Sequence, residues 1–209
     1  QGAWVPRAHA PVSAGGFALS YDVNGNLTRV VDTTAPAGSP EYRVTDFDGE
    51  NRPVRVVRAG VETTFAFAPD GTRLRKTTPA VPRGCPADLS PKPLETTLYI
   101  GGHERVSYAA HPHACVPTTA LWVKYPHPSI KIEGAGAPTT LGGPARLFHL
   151  MPDHLGSIRT VLGATPPVSH VARYTPFGAR TILAADPSTA EDKAFLGQNQ
   201  DETGLLHLN

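Results

Sequence analysis

Pro152-Asp153-His154-Leu155-Gly156-Ser157-Ile158 is the stretch that decides the fold of this chain. It joins two short apolar runs, residues 147–150 and 158–162, which contain mostly β-prone side chains. A turn-like centre between two such runs predicts a β-hairpin whose glycine adopts a positive φ. Short strands and tight turns are therefore expected here.

The same skeleton recurs along the chain. Three N-terminal copies align on an aromatic residue and on a turn residue four positions later, and three more copies follow residue 150. Such self-similarity predicts a repeat array in which no unit buries its apolar face alone. In these copies we expect Asp to accept turn N–H groups and Gly or Asn to adopt positive φ. The positions assigned to the repeated motif are Tyr21, Asp22, Gly25, Phe47, Asp48, Asn51, Phe67, Gly71, Asp153, His154, Leu155, Gly156, Ser157, Tyr174, Pro176, Phe177, Gly178, Asp201, Gly204 and Leu205.

Composition favours the same fold and excludes some classes of function. The 209 residues include 22 Pro and 20 Gly, a mixture that breaks helices and favours short strands. The formal net charge of +1 provides no basic field for nucleic acid. No apolar run approaches the roughly 20 residues that span a bilayer, and no signal peptide is visible. Because the chain lacks an initiator Met, we expect it to be a fragment or a processed piece.

Four segments are predicted. Residues 1–16 are a linker or the end of a preceding strand, and residues 17–78 form repeated β-hairpins. Residues 79–144 are an irregular insertion with a few strands, and residues 145–209 carry the C-terminal repeats. One helix is predicted over residues 188–196, with Ser188 as its N-cap and a glutamate three positions later.

The opening stretch also holds Asp153, His154 and Ser157 within five residues, which suggests a hydrolase. A catalytic triad needs its base between the nucleophile and the orienting acid in space. Residues of one tight turn rarely converge in that way, and no Gly-x-Ser-x-Gly elbow surrounds Ser157. The structural interpretation is therefore favoured, and no catalytic residue is predicted.

Two cysteines, Cys85 and Cys115, allow three interpretations. A disulfide would close the excursion between them and restrict a loose insertion by about 3 kcal/mol. Free thiols are the second interpretation, which the sequence favours slightly less than the disulfide. A zinc site is the third: His111, His113 and Cys115, with Cys85 upstream, could supply four ligands, and the first three would share one face of an extended segment. No metal or other cofactor is predicted.

Charged and aromatic side chains allow further functional interpretations, each of which is weaker than a structural role. Asp186, Glu191 and the adjacent Asp201-Glu202 could supply paired carboxylates for glycoside hydrolysis, although solvated turn carboxylates are far commoner. Four arginines could form a strip for an acidic cargo or a glycan, but interleaved acids favour cross-strand ion pairs instead. Tryptophan and tyrosine side chains could stack on sugars, yet packing is the default role for scattered aromatics. The four arginines are Arg55, Arg58, Arg73 and Arg75.

Several motifs, in order, resemble those of one family. Tyr21-Asp22-x-Asn24-Gly25-Asn26-Leu27 resembles the YD repeat. Residues 99–102, 153–157, 174–178 and 201–205 resemble the RHS repeat-associated core in its family order. The similarity covers roughly residues 17–78 and 95–209.

The resemblance implies a long β-sheet that spirals into a hollow shell, as in bacterial RHS toxins, the C components of insecticidal toxin complexes and teneurins. In the bacterial members the shell encloses a toxic C-terminal domain. In self-cleaving members a closing strand and an aspartyl autoprotease motif follow the core. Both would lie beyond Asn209 here, so the resemblance does not imply cleavage or toxicity by these residues.

The sequence therefore predicts an all-β fold, with YD-repeat hairpins forming part of a curved shell. Its expected role is structural and non-catalytic: to encapsulate or present a toxin or effector segment of a secreted or cell-surface bacterial protein. The expected partners are other shell segments, a cargo or a partner chain, with no nucleic acid and no membrane span. The alternatives are an extracellular module that binds a glycan or protein, and part of an autoprotease core.

Overall fold

Glycine and proline residues recur at short intervals along the chain, and the turns of the structure lie close to them. The computed structural model describes residues 10–36, 42–82, 85–136, 145–163, 168–186, 191–201, 203 and 206–207. These residues form antiparallel strands and one short 3-10 turn, with no α-helix among them. The prediction of an all-β fold is thus confirmed. The chain divides into two units, residues 1–79 and 80–209.

A hydrogen-bonded turn of five residues, called the array turn below, recurs six times in the described part of the chain. The N–H of its first residue donates to the carbonyl of the fifth, and the N–H of the fourth donates to the carbonyl of the first, at 2.8–3.2 Å. The fourth residue has φ between +63° and +90°, a region that glycine or asparagine adopts most easily. Five of the six have the form of a type I turn closed by a bulge residue, whereas in the turn 194–198 the third residue, Leu196, also has a positive φ. The six turns are residues 22–26, 48–52, 68–72, 153–157, 175–179 and 194–198.

The N-terminal unit is a meander in which each strand pairs with the next in chain order. Its strands are β1 (Ser13–Ala14), β2 (Phe17–Tyr21), β3 (Leu27–Asp32), β4 (Arg43–Phe47), β5 (Pro53–Arg58), β6 (Val61–Phe67) and β7 (Arg73–Pro79). Thr45 pairs with Val56, and Val56 with Thr63, whose hydroxyl lies 2.9 Å from that of Thr78. This buried row of small β-branched side chains holds one face of the meander together.

Neighbouring array turns of this unit are also linked to one another. The side-chain amide of Asn26 in the first turn donates to Asn51 in the second, at 2.8 Å. Arg52 of the second turn donates to the carbonyl of Ala68 in the third, at 2.9 Å. Because the fifth residue of one turn reaches the next turn, the repeat couples adjacent hairpins as well as shaping each one.

The C-terminal unit is a second meander, again paired in chain order. Its strands are β8 (Leu94–Ile100), β9 (His103–Tyr108), β10 (Leu121–His127), β11 (Ile130–Ala135), β12 (Arg146–Pro152), β13 (Ile158–Gly163), β14 (Val168–Tyr174) and β15 (Arg180–Ala185), followed by the small hairpin of β16 (Asn199–Gln200) and β17 (Leu206–His207). The segment predicted as an irregular insertion, residues 79–144, thus contributes the four paired strands β8 to β11. Phe148, Leu150, Ile158 and Val161 form the apolar cluster of this unit.

The prediction of a helix over residues 188–196 is wrong where the chain is described, and Ser188 lies outside the described residues. Ala194 has φ −133°, Leu196 has φ +56°, and only a 3-10 turn, Phe195–Gly197, is present. Residues 191–198, called the strap below, run against the sheet of the C-terminal unit instead. Contacts with that sheet outweigh the weak helix propensity of a segment this short.

Candidate functional site

The Asp-His-Ser stretch forms an array turn, and its polar groups bind backbone. One carboxylate oxygen of Asp153 accepts the N–H groups of Leu155 and Ser157, at 2.9 and 3.0 Å. His154 is exposed at the tip of the turn, while Ser157 is fully buried. The three side chains therefore do not assemble a triad.

Ser157 instead holds the strap. Its hydroxyl oxygen accepts the N–H of Leu196 at 3.0 Å, across 39 positions of sequence. The next residue, Ile158, donates its N–H to the carbonyl of Ala194, also at 3.0 Å. Gly197 lies so close to the turn that an added Cβ would be 3.2 Å from the carbonyl oxygen of Gly156. One array turn is thus docked on another.

Leu196 is held in a conformation that leucine seldom adopts. Its φ of +56° and ψ of 22° lie in the left-handed region, which is unfavourable by about 1–2 kcal/mol for a residue with a Cβ. The hydrogen bond from its N–H to Ser157 belongs to the docked strap and fixes this geometry. Local strain of this kind persists where the surrounding structure over-determines the backbone.

A buried charge cluster lies where the strap begins. Lys131 of β11, 2% exposed, places its ammonium 2.8 Å from Glu133 and 3.0 Å from Glu191, the first residue of the strap. Tyr125 of β10 donates its hydroxyl to Glu191 at 2.9 Å. The ring of Phe148 lies beneath the Lys131 ammonium, 5.0 Å away at its centroid. The ammonium thus forms ion pairs with two carboxylates, one of which also accepts the phenol hydroxyl while the other also pairs with Arg146 of β12.

The cluster shifts the protonation of its own members. Burial by itself would lower the pKa of Lys131, but the carboxylates of Glu191 and Glu133 more than offset it and raise that pKa above its usual value. Burial, and next the negative charge of Glu191, raise the pKa of Tyr125 far above its usual range. Lys131 is therefore an ammonium and Tyr125 a neutral donor throughout the physiological pH range.

A second polar contact joins the strap to the last two strands of the meander. Arg180 of β15 donates one terminal nitrogen to the carbonyl of Glu191 at 3.3 Å. Its other terminal nitrogen lies 2.7 Å from Nε2 of His170 on β14. Burial, followed by the positive charges of Arg180 and Lys131, lowers the pKa of His170 below its usual value.

The polar groups at this site attach one segment of the chain to another. Ser157 faces the strap backbone, and Tyr174 donates its hydroxyl to the carbonyl of Ile158 at 2.9 Å. Lys131 of β11 forms ion pairs with Glu133 and Glu191, and Tyr125 of β10 and Arg180 of β15 donate hydrogen bonds to the carboxylate and the carbonyl of Glu191. These contacts attach residues 191–198 to the face of the sheet.

The other predicted motif positions lie in array turns of the two units. Asp22 and Asp48 each accept two turn N–H groups, as Asp153 does. The hydrogen bond from the side chain of Asn26, and then backbone N–H groups of the turn, lower the pKa of Asp22. In the 175–179 turn Thr175 takes the place of the aspartate and accepts the N–H of Ala179. Tyr21, Phe47, Phe67 and Tyr174 each precede an array turn, and Gly25, Asn51, Gly71 and Gly178 each occupy its fourth position.

The structure describes only part of the motif copy predicted at residues 200–206. Asp201 is buried, whereas Gly204 and Leu205 lie outside the described residues. The sixth array turn in the structure lies earlier, at residues 194–198, with Gly197 at its fourth position. Of the carboxylates considered for glycoside hydrolysis, Glu191 is paired with Lys131, and Glu202 lies outside the described residues.

Cys85 and Cys115 are joined in a disulfide, with 5.3 Å between their Cα atoms. Nε2 of His111 lies 2.9 Å from the carbonyl of Pro91, and Nδ1 of His113 accepts the N–H of Cys115. A zinc site would require both cysteines as thiolates, so the disulfide is incompatible with the proposed four-ligand set. No cluster of three or more metal-ligating side chains is found among the described residues.

The predicted cross-strand ion pairs of the arginine strip are confirmed at Arg55, which pairs with Asp46 of β4 and Glu62 of β6. Arg58 lies over the ring of Tyr42, at 5.2 Å, and Arg73 is buried. These arginines are engaged within the N-terminal unit.

Sequence reasoning missed the strap cluster as a whole. In Ile130-Lys131-Ile132-Glu133, alternation suggests that the isoleucines face the core, yet Lys131 is the buried residue. The available signal was a lysine and a glutamate two positions apart on one strand, which lie on the same face. Their third partner, Glu191, is 60 positions away from Lys131 and carries no local signal.

Comparison with solved structures identifies a similar fold. The chain overlays on a crystal structure of TcdB2-TccC3 without its hypervariable C-terminal region with a TM-score of 0.52 and 16% identity, over 91% of its length. Crystal structures of TcdB2-TccC3 and of TcdB2-TccC3-Cdc42 match at the same TM-score and 14% identity, over 92% and 91%. This chain spans 8% of the length of each of those chains. At such identity the likeness shows the fold alone, one that agrees with an RHS-type shell.

The chain matches no family model, and none of the curated proteins matches it. Among the described residues there is no helix with the length and apolar character needed to cross a membrane.

Proposed function

We propose that this chain is a wall segment of an RHS-type shell that encloses or presents a C-terminal toxin or effector segment, and that it performs no catalysis itself. The fold likeness to TcdB2-TccC3 chains over 91% of this chain supports the proposal. A meander that pairs in chain order suits a wall, because each further hairpin extends the sheet by the same step.

The proposal rests mainly on what the polar side chains of the array turn bind. Asp153 and Ser157, the residues that most suggest catalysis, are occupied by the N–H groups of the turn and of the strap. The same pair of backbone hydrogen bonds occurs in five other turns whose side chains differ. Because the hydrogen bonds of the turn recur while its side chains vary, the turn has a structural role and not a catalytic one.

The partners under this proposal are the other segments of the shell and an enclosed cargo or a partner chain. The protein would be a secreted or cell-surface component of a bacterial toxin. The near-neutral net charge of +1 suits a wall that has no strong preference for a charged polymer.

Electron cryomicroscopy of the protein, at the length that its own reading frame encodes, tests the proposal. We expect the hairpins of residues 17–78 and 145–209 to lie in the wall of a hollow particle, with separate density inside it. A filled, compact particle with no enclosed density would contradict the shell. Labelling of Ser157 by a fluorophosphonate probe would contradict the non-catalytic role.

One observation favours the alternative, a recognition module for a glycan or a protein. Phe177, at the tip of the 175–179 turn, is 96% exposed, and Leu155, at the tip of another array turn in the same unit, is 54% exposed. Burial of a large aromatic side chain such as Phe177 contributes strongly to the energetics of interfaces. If the full-length protein is a free-standing particle and Phe177→Ser abolishes its binding to cells, the recognition module replaces the shell as the preferred function.

A further inference from the structure

His170 must be unprotonated at Nε2 when the strap is docked. The terminal nitrogen of Arg180, 2.7 Å away, belongs to a guanidinium, which can only donate hydrogen bonds. The ring nitrogen that faces it must therefore be an acceptor. His170 is 7% exposed, so water has little access to the ring to replace this contact.

Arg180 connects His170 to the strap. The same guanidinium donates to the carbonyl of Glu191, at 3.3 Å. Its remaining nitrogen, Nε, is buried and has no hydrogen-bond partner among the described residues. Two acceptors, the carbonyl of Glu191 and Nε2 of His170, thus position the guanidinium. Protonation of His170 would remove the second acceptor.

The charges around His170 come from several elements, and those closest to it are positive. Arg180 lies on β15, and Lys131 on β11 adds a second positive charge that acts on the ring. The neighbouring strand β13 carries Arg159, whose Nε donates to the carbonyl of Ala172. On the strap, the carboxylate of Glu191 is engaged by Lys131 and Tyr125. These cations would therefore repel a protonated His170, and within this cluster the carboxylate of Glu191 is already engaged and does not compensate for the repulsion.

We propose that residues 191–198 are an acid-released strap, in which protonation of Nε2 of His170 removes the acceptor of Arg180, repels its guanidinium and loosens the strap at Glu191. No covalent bond changes, and the proton comes from solvent. The inference concerns the strap alone and does not depend on the shell.

The sign of the pH dependence follows from linkage. The pKa of His170 is lowered in the docked state, so the undocked state binds the proton more readily. Docking is therefore at full strength above the ordinary histidine pKa of about 6.5 and weakens as the pH falls below it, until the lowered pKa of the docked state is passed.

Hydrogen exchange of the strap amides at pH 7.5 and pH 5.5, corrected for the intrinsic pH dependence of exchange, tests this. In the wild-type chain we expect protection of residues 191–198 to fall by roughly threefold or more at pH 5.5. His170→Gln retains an acceptor that does not titrate, and its strap should be equally protected at both pH values. His149→Gln, at an exposed position on β12, should respond as the wild type does.

Equal protection of the wild-type strap at both pH values would overturn the proposal, as would an acid response in His170→Gln as large as that of the wild type. An NMR titration of the unaltered chain covers the case in which His170→Gln does not fold. The strap amides should then shift with the same midpoint as the His170 ring, and a different midpoint would contradict the proposal.

Discussion

Lys131 shows at the scale of one residue how a charge comes to occupy a core position. It pairs in register with Phe148 of β12, on the face that carries the apolar cluster. Leaving an ammonium unpaired there would be highly unfavourable. Two carboxylates, one from its own strand and one from the strap, neutralise it and fix the register of β11.

Replacing Lys131 with methionine should destabilise the C-terminal unit by about 3–5 kcal/mol, because the buried carboxylate of Glu191 loses its cation, whereas Glu133 keeps its ion pair with Arg146. Urea denaturation followed by circular dichroism measures the loss. Arg55→Met is the matched control, since Arg55 also bridges two acids but is 41% exposed at its side chain. Its loss should be much smaller. Equal losses in the two variants would show that burial of the Lys131 cluster is unimportant.

The array turn is the feature that matters at the scale of the element. Its fourth residue needs a positive φ, and five of the six copies place glycine there while the second places Asn51. Asparagine is the side chain that tolerates this region best. Position four is therefore set by backbone geometry, whereas the first position is occupied in four copies by an Asp or Thr side chain that accepts turn N–H groups.

Gly156→Ala tests this directly. A Cβ at Gly156 would meet its nearest atoms at 3.8 Å, so space is adequate and the effect is conformational. We expect a loss of about 1–2 kcal/mol in the free energy of unfolding, measured by urea denaturation, and a smaller loss for Gly156→Asn. Gly49→Ala, in the second position of another array turn with no atom within 4 Å, should be neutral. If alanine is tolerated equally at positions 156 and 49, the φ argument fails.

At the scale of the whole molecule, the meanders leave strands with one partner. Within the described residues of the C-terminal unit, β15 pairs with β14 alone. Its Ile182 and Leu183 are 45% and 50% exposed. Open edges with apolar side chains promote pairing with further strands, which suits a wall segment and predicts association of the isolated chain.

Sedimentation velocity should therefore show concentration-dependent association of the 209-residue chain. Ile182→Lys should shift the distribution towards monomer, because a charge on an edge strand opposes strand addition. Val23→Lys changes a side chain that is 78% exposed in a turn of the other unit, and it should leave association unchanged. A stable, cooperatively unfolding wild-type monomer at all concentrations would contradict the edge-strand argument.

Much of the fold was accessible from local patterns, whereas the candidate site was not. The motif around Asp153 and Gly156 indicates a hairpin because turn residues act through their own backbone, within five positions. The same logic failed at residues 194–198, where Ala194, Phe195 and Leu196 have no turn signature. There, the hydroxyl of Ser157 and the N–H of Ile158 supply the hydrogen bonds that select the turn.

Sequence alone was sufficient for the all-β class and for the five array turns at residues 22–26, 48–52, 68–72, 153–157 and 175–179, whose Asp, Asn, Pro and Gly residues signal a turn. Both depend on interactions between neighbours in the chain, and these are written in short motifs. Tertiary structure alone determined that Ser157 is a fastening point, that Lys131 is buried, and that Glu191 reaches it from 60 positions away. Such contacts depend on which strands are brought side by side, and no local pattern records that arrangement.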